Sequence, residues 1–294
     1  MAIPDVAAEK SDTLVGIDVG ATLAKLAVRG ADGSLDLGFL PASDLPTIAR
    51  RIEDQAPGRV GLTGCGAPAL EARIDVPCFR FLEFEAWGRG SRRLLEAQGF
   101  DPEEPYLLVS LGTGTSILCV EGDAISRVGG TALGGGTVLG LGAALTGVGD
   151  HDGLCRLAQE GERQHVDLRV SDIYGENEIP LPGETTAASF GKVLHRAPLA
   201  SGTEATGRGG APGRSDLAAA VMGLVGENVA LICAGHCTQR GIKRLVYGGG
   251  ALQANPVLTG VLLGVSAGMG AEPVLLENGN FAGALGALEA AELG

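Results

Sequence analysis

The chain has 294 residues, enough for roughly two domains and for a core that needs no disulfide or metal staple. Apolar residues make up 45% and charged residues 19%, a globular composition, and a formal net charge of −13 excludes a basic nucleic-acid binder while leaving room for a small anionic metabolite. Glycine is unusual, at 49 residues or one in six, and has no triplet period to suggest collagen.

The first dozen residues lack the apolar centre of a signal peptide. No run of about 18 apolar residues free of charge and of Gly follows, so the expectation is a cytoplasmic protein with no membrane span. Residues 14–19 form an apolar strand that enters the small-residue turn Gly20-Ala21-Thr22. Residues 23–28 resume as a second strand, and Gly30-Ala31-Asp32-Gly33 carries the Asp-Gly hairpin signal. Residues 43–54 are predicted helical, and 59–63 a short buried strand ended by Gly64-Cys65-Gly66. The spacing Gly64-x-Gly66-x-x-Ala69 formally fits a dinucleotide fingerprint, but Pro68 and the lack of a clear βαβ frame argue against it. Residues 78–82 read as a strand with Glu83 at its end, and 86–98 as a helix with Arg89, Arg92 and Arg93 on its polar side.

Residues 107–123 repeat the opening pattern: strand, Gly/Thr turn (Gly112-Thr113-Gly114-Thr115), strand, acidic Gly turn. Aligning Gly20 with Gly114 sets Thr22 against Ser116 and Leu23 against Ile117. A Gly/Thr hairpin tip in each half suggests two related halves facing a cleft, where backbone N–H groups and Thr hydroxyls reach phosphate oxygens. The Gly-rich stretch from Gly129 to Gly136 is too dense in glycine for the interior of a regular helix or strand. It feeds a helix predicted over 138–146, an anion-binding arrangement of free N–H groups and dipole. Residues 152–164 read as a polar helix, 198–215 as a surface loop, 217–238 as a long apolar helix, 243–247 as a buried strand ending in Gly248-Gly249-Gly250, 273–276 as a last strand, and 281 onward as a closing Ala/Leu helix. The six cysteines (Cys65, Cys78, Cys119, Cys155, Cys233 and Cys237) form no CxxC and read mostly as small buried hydrophobes of a reducing compartment.

No Walker A motif and no HExxH or four-Cys arrangement occurs, and His151, His165, His195 and His236 are scattered. Gly264-Val265-Ser266-Ala267-Gly268 matches a nucleophile elbow, but no His follows His236 to complete that triad. Phosphoryl transfer suits what remains. Asp18, at the end of the first strand, suits a Mg²⁺ ligand acting through water. Glu83 suits the base for an acceptor hydroxyl, and Arg127 an acceptor carboxylate or the developing phosphoryl charge. Singly, each has an ordinary reading: a turn-capping Asp, a solvated Glu, a surface Arg.

The motifs Asp18-x-Gly20-x-Thr22-Leu23-x-Lys25, Glu83-Phe84-Glu85-Ala86, Gly112-Thr113-Gly114-Thr115-Ser116 and Arg127-Val128-Gly129-Gly130-x-x-x-Gly134-Gly135-Gly136 resemble type II pantothenate kinases. So do Asp167-Leu168-x-Val170-x-Asp172-Ile173-Tyr174, Ala188-Ser189-Phe190-Gly191 and Glu277-Asn278-Gly279-x-Phe281-x-Gly283-Ala284-x-Gly286-Ala287-Leu288, all in order from about residue 14 to the end. The resemblance implies an α/β fold of two ribonuclease-H-like, actin-like ATPase domains flanking an ATP cleft, divided here as residues 1–103 and 104–294, with the last helix packing back on the first domain. It implies phosphorylation of pantothenate by Mg²⁺ and ATP, the first step toward coenzyme A, in a homodimer with coenzyme A or acyl-CoA as effector. Carried over residue by residue, Asp18, Val19, Gly20, Ala21, Thr22, Leu23 and Lys25 match the first phosphate loop, Glu83 the general base and Arg127 the pantothenate-binding arginine. Thr113 and Thr115 match the second loop, which touches phosphate and pantothenate; Gly135, Gly136 and Thr137 match the nucleotide segment, Gly250 an adenosine contact and His151 a nucleotide contact of some members. The chain departs from the pattern in Ala21, where Gly is usual, in the hydroxyl-free turn Gly248-Gly249-Gly250, and in Leu275 and Leu276, where some members carry Tyr. The alternatives are a kinase of this fold with an amino-sugar acceptor, a non-catalytic acyl-CoA or nucleotide sensor, and a dehydratase-activating ATPase, which needs an iron–sulfur cysteine pair.

Overall fold

The run Leu14-Val15-Gly16-Ile17-Asp18-Val19 is apolar except for Asp18, and it lies fully buried at the centre of a sheet covered on both sides. The computed structural model describes residues 12–174, 182–195 and 212–294. Strand β1 (Leu14–Val19) turns back into β2 (Leu23–Arg29) and β3 (Leu35–Pro41), an antiparallel meander. Helix α1 (Leu45–Glu53) returns the chain so that β4 (Arg59–Thr63) pairs in parallel with β1. After α2 (Ala67–Glu71), β5 (Cys78–Arg80) pairs in parallel with β4, giving the order β3-β2-β1-β4-β5.

Helix α3 (Glu83–Ala97) leads to a second sheet on the same plan. Strands β6 (Tyr106–Leu111), β7 (Thr115–Glu121) and β8 (Ala124–Thr131) form the meander. Then come α4 (Gly135–Thr146), α5 (His151–Gln159), a small region of β9 (Leu168–Arg169), α6 (Val170–Tyr174), β10 (Thr186–Ala188) and α7 (Gly191–His195), and the long α8 (Arg214–Arg240). Strand β11 (Arg244–Gly248) pairs in parallel with β6, and after α9 (Pro256–Gly268), β12 (Glu272–Leu275) pairs in parallel with β11. The order β8-β7-β6-β11-β12 matches the first sheet strand for strand, the duplicated α/β plan expected from the sequence.

Each sheet is a packed layer. Val15, Ile17 and Val19 face Ile48, Ile52 and Leu70 of α1 and α2. In the second sheet, Leu107, Val109 and Ile117 face Met222, Val225 and Val229 of α8, while Tyr106, Leu108, Leu118 and Val120 face Trp87 and Leu95 of α3. Helix α8 is long and apolar enough to cross a membrane by length and composition, but two-thirds of its apolar stretch is buried against this core.

The other face of β1 is closed by α10 (Ala282–Leu293), which lies between the first sheet and α3. Glycines make the approach. A Cβ on Gly16 would fall 2.2 Å from the Ala284 carbonyl oxygen, and one on Gly61 would fall 1.6 Å from that of Ala287. On the α3 side, Gly90 meets Ala282 and Gly286 meets Ala86 at 1.8 Å by the same measure. Ion pairs secure the rim: Arg89 to Glu289 at 2.6 Å and Arg93 to Glu292 at 3.1 Å, with Arg59 donating to the Ala291 carbonyl at 3.1 Å.

Several local expectations change. Helix α3 begins at Glu83, so Glu83 opens a helix instead of ending a strand. Gly129 and Gly130 lie inside β8, and Gly135 and Gly136 inside the first turn of α4. These glycines permit close packing: a Cβ on Gly129 would stand 2.5 Å from His236 Nε2, and one on Gly134 2.7 Å from the Gly114 backbone. The polar helix over 152–164 is the shorter α5, and α9 went unread because its apolar, Gly-punctuated sequence shows no amphipathic period. Ser266 is buried within α9, bonded to the Tyr247 hydroxyl at 2.8 Å and donating to Leu262, so the elbow match is chance. The hairpins also align differently. The last paired residues are Val19 with Ala24 and Leu111 with Thr115, which sets Gly20 against Gly112 instead of Gly114. The two tips differ by one residue, and a two-residue slip preserves the in–out alternation of a strand. Four of the cysteines are buried as expected, but Cys65 is exposed and Cys78 half-buried. Most of the loop expected over 198–215 lies outside the described residues.

The glycine contacts are testable. Gly61→Ala forces a methyl into the Ala287 carbonyl and is expected to destabilise the protein by about 2–3 kcal/mol. A urea midpoint unchanged from wild type contradicts this packing.

Candidate active site

Asp18 ends β1 on its α10 side, and the alternation of the strand gives it the inward direction that Leu14 and Gly16 share. Its side chain is only 3% exposed. Lys25, opposite on β2, pairs with it at 3.6 Å, and the Trp87 indole N–H hydrogen-bonds the same carboxylate. Gly64 and Gly283 crowd it from two more elements: a Cβ on either would stand 2.7 and 2.5 Å, respectively, from its oxygens. Burial pushes the Asp18 carboxyl above its ordinary range, opposed by the Lys25 charge and by the Lys25 and Trp87 hydrogen bonds.

Glu83 is the first residue of α3, four positions before Trp87, and its carboxylate is open to solvent. Loss of water on one side and the nearby Asp18 charge raise its carboxyl above the ordinary range, with Lys25 opposing. The next residue, Phe84, lies with its ring 6.0 Å below the Arg127 guanidinium. Asp18, Lys25 and Glu83 therefore come together from β1, β2 and α3, and Arg127 on β8 stands over the residue that follows Glu83.

The two hairpin tips supply open donors. The Gly20 N–H closes its own turn on Leu23 at 3.1 Å, while the Ala21 and Thr22 N–H groups and the Thr22 and Thr113 hydroxyls bond no described residue. Ala21 is exposed, so the methyl that replaces the usual glycine faces outward. Other expected ligands are committed to the protein. The Gly135 and Gly136 N–H groups donate to the Gly112 and Thr113 carbonyls at 2.8 and 2.9 Å. Thr115 Oγ1 donates to Leu133, and Thr137 Oγ1 to Ala132. The expectation of free N–H groups at Gly135 and Gly136 is thus replaced: this segment stitches the second tip to α4.

A model of the Fumble family matches residues 65–290. The type II pantothenate kinase of Staphylococcus haemolyticus (strain JCSC1435) is 34% identical over 274 residues, which cover 93% of this chain and 98% of that protein. This chain belongs to the type II pantothenate kinase family. Among solved structures, component A of the Acidaminococcus fermentans (R)-2-hydroxyglutaryl-CoA dehydratase shares the fold at TM-score 0.61 and 20% identity, covering 96% of this chain and 99% of that one. The archaeal actin homologue Ta0583 does so at TM-score 0.54 and 13% identity, with 96% and 100% covered. Both are fold relatives, and they place the kinase among the actin-like α/β proteins.

In this kinase Gly250 follows the C-terminal end of β11, and His151 opens α5. His151 Nε2 lies 2.7 Å from the Gln253 carbonyl oxygen, in the turn that follows Gly250. That turn borders an open cleft of about 250 Å³ lined by Gly248, Gly249, Gln253, Asn278 and Phe281, among others. Gly249 has φ of +119°, and a Cβ there would fall 2.2 Å from the Leu111 carbonyl oxygen, so glycine is required. Space around Gly250 is open. Trp87, Gly64, Gly283 and Phe84 were not read from the sequence as site residues. The single Trp of the chain, placed one turn after Glu83, was the available signal for the first.

The mutual influence of the two carboxylates can be measured directly. A carbon-detected titration of Glu83 in the free kinase is expected to give a midpoint above the usual value of about 4.3. Asp18→Asn removes a repelling charge and is expected to lower that midpoint; an unmoved midpoint means the two groups do not sense each other.

Proposed function

We propose that this kinase transfers the γ-phosphoryl group of ATP to the primary hydroxyl of pantothenate, giving 4′-phosphopantothenate and ADP. The observation that carries the reading is the first turn of α3, where Glu83 is flanked by the Asp18 centre on one side and, through Phe84, by Arg127 on the other. A primary alcohol is a weak nucleophile. Glu83 accepts its proton as the new O–P bond forms and the bond to the ADP oxygen breaks. The upward shift of its carboxyl makes Glu83 a stronger base than an ordinary glutamate. Arg127 holds the pantothenate carboxylate through charge-assisted hydrogen bonds. The N–H groups of Ala21 and Thr22 and the hydroxyls of Thr22 and Thr113 receive phosphate oxygens, and the cleft beside Gly250 receives the adenosine.

The donor set suits Mg²⁺ held mainly by the nucleotide: Asp18 offers one buried carboxylate, and no cluster of three or more metal-ligating side chains occurs among the described residues. Asp18 would hold such an ion, which would supply neutralisation of the phosphate charge. Lys25, 3.6 Å away, opposes the upward push that burial gives the Asp18 carboxyl. Residues 1–103 and 104–294 act as the two halves that enclose the nucleotide. Family membership is also what supports a homodimer and a coenzyme A or acyl-CoA effector.

ADP release with Mg²⁺ and ATP, compared across pantothenate, N-acetylglucosamine and no acceptor, tests the reaction. Turnover is expected with pantothenate; turnover only with the sugar overturns the acceptor. Glu83→Gln is expected to lower kcat by about 10²–10⁴-fold with ATP binding retained, and a near-normal kcat removes Glu83 as the base. Arg127→Ala is expected to raise the pantothenate KM about ten-fold or more, and an unchanged KM removes Arg127 from the acceptor site.

A further inference from the structure

Arg127 is exceptional among the arginines near α3. Arg89, Arg92 and Arg93 each pair with carboxylates. The Arg127 guanidinium makes no ion pair or hydrogen bond with a described residue, in a chain where Asp and Glu outnumber Lys and Arg by 35 to 22. A guanidinium left this way is a flexible side chain with many rotamers, unless something other than a carboxylate fixes it.

Two residues do so. The Phe84 ring lies under the guanidinium, although Phe84 belongs to none of the hydrophobic clusters and is 38% exposed, so core packing does not explain an aromatic there. On β8, a Cβ on Gly130 would stand 2.6 Å from Arg127 Nη2 and 2.6 Å from the Thr115 carbonyl oxygen. A strand interior disfavours glycine, and here its missing side chain is the space the guanidinium fills. A ring face attracts a cation yet accepts none of its in-plane N–H bonds, so the Arg donors stay available.

We propose that Phe84 and Gly130 are positioning residues that form a slot holding the Arg127 guanidinium flat and unpaired, ready for the acceptor carboxylate. The inference rests on the reading of Arg127 as the carboxylate partner. Because Phe84 follows Glu83 on one helical turn, the slot also ties the carboxylate anchor and the base to a single rigid element, which sets the position of the acceptor between them.

The test uses Phe84→Leu in the full-length kinase, with pantothenate and with an amide analogue in which the carboxylate is capped. Expected is a two- to five-fold rise in the pantothenate KM, about the strength of an exposed cation–π contact, with kcat and the ATP KM unchanged. The KM of the amide analogue is expected to stay at its wild-type value, and Phe84→Leu is expected to add nothing in an Arg127→Ala background. A change of equal size with the amide, or an additive effect in the double variant, overturns the proposal and leaves Phe84 a general packing residue. Should Arg127→Ala raise the pantothenate KM while Phe84→Leu does not, the slot fails and the acceptor reading stands. Should Arg127→Ala leave it unchanged, both fall. Phe84→Trp, which keeps an aromatic face, is expected to retain the wild-type KM; a rise equal to that of Leu counts against the slot.

Discussion

Backbone against backbone, without side chains between, is the contact on which this molecule depends. Helix α10 reaches the first sheet at Gly16 and Gly61 and reaches α3 at Gly90 and Gly286, each at distances that no Cβ would allow. The close approach excludes water from the inner face of β1 and brings Gly283 against the Asp18 carboxylate. It also seats α3, whose first turn carries Glu83 and Phe84. The high glycine content therefore has a mechanical meaning in this chain: much of it is spacing between elements, and only part of it is turn chemistry.

That packing creates an electrostatic cost at the centre. Asp18 is a charge taken out of water, with a carboxyl raised by burial and only one close cation, Lys25, to hold it. A neutral residue there would remove the cost, so the carboxylate is the kind of locally unfavourable group that sites keep for function. Around it the charge is arranged unevenly. The arginines at the rim of α10 are spent on ion pairs that dock the helix, Arg89 lying over the Phe81 ring as well, while the Arg127 guanidinium has the Phe84 ring and the open position at Gly130 beside it and no carboxylate partner among the described residues. The cations of this acidic protein thus differ in whether a carboxylate meets them.

Much of the fold was legible in the chain. The strands at 14–19, 23–29 and 59–63 and the long helix α8 follow from apolar runs and turn residues that act over a few positions. What escaped was local structure set by distant neighbours. Gly129 and Gly130 continue a strand because His236 and Arg127 fill the space that side chains would take, and Gly135 and Gly136 enter a helix because the Gly112 and Thr113 carbonyls take their N–H groups. Helix α9 has no amphipathic period, so nothing in its sequence marked a face. The hairpin repeat was visible, but its register was not, since the second tip offers two glycines, Gly112 and Gly114, as partners for Gly20.

By itself the sequence determined the alternation of strands and helices, the duplication of a Gly/Thr hairpin, and the presence of residue types that suit phosphoryl transfer, Asp18, Glu83 and Arg127, each set in a motif of a few residues. Those depend on hydrophobic period and short-range chemistry, which are written along the chain. Only the tertiary structure decided that Glu83 lies near enough to Asp18 to feel its charge, that Trp87 and Gly283 crowd the Asp18 carboxylate, that the Arg127 guanidinium stands over the Phe84 ring and beside Gly130, and that the Thr22 and Thr113 hydroxyls bond no described residue while those of Thr115 and Thr137 do. The reason is physical. Burial, charge interaction and hydrogen-bond occupancy depend on separation in space, and the partners here lie tens to hundreds of residues apart in the chain.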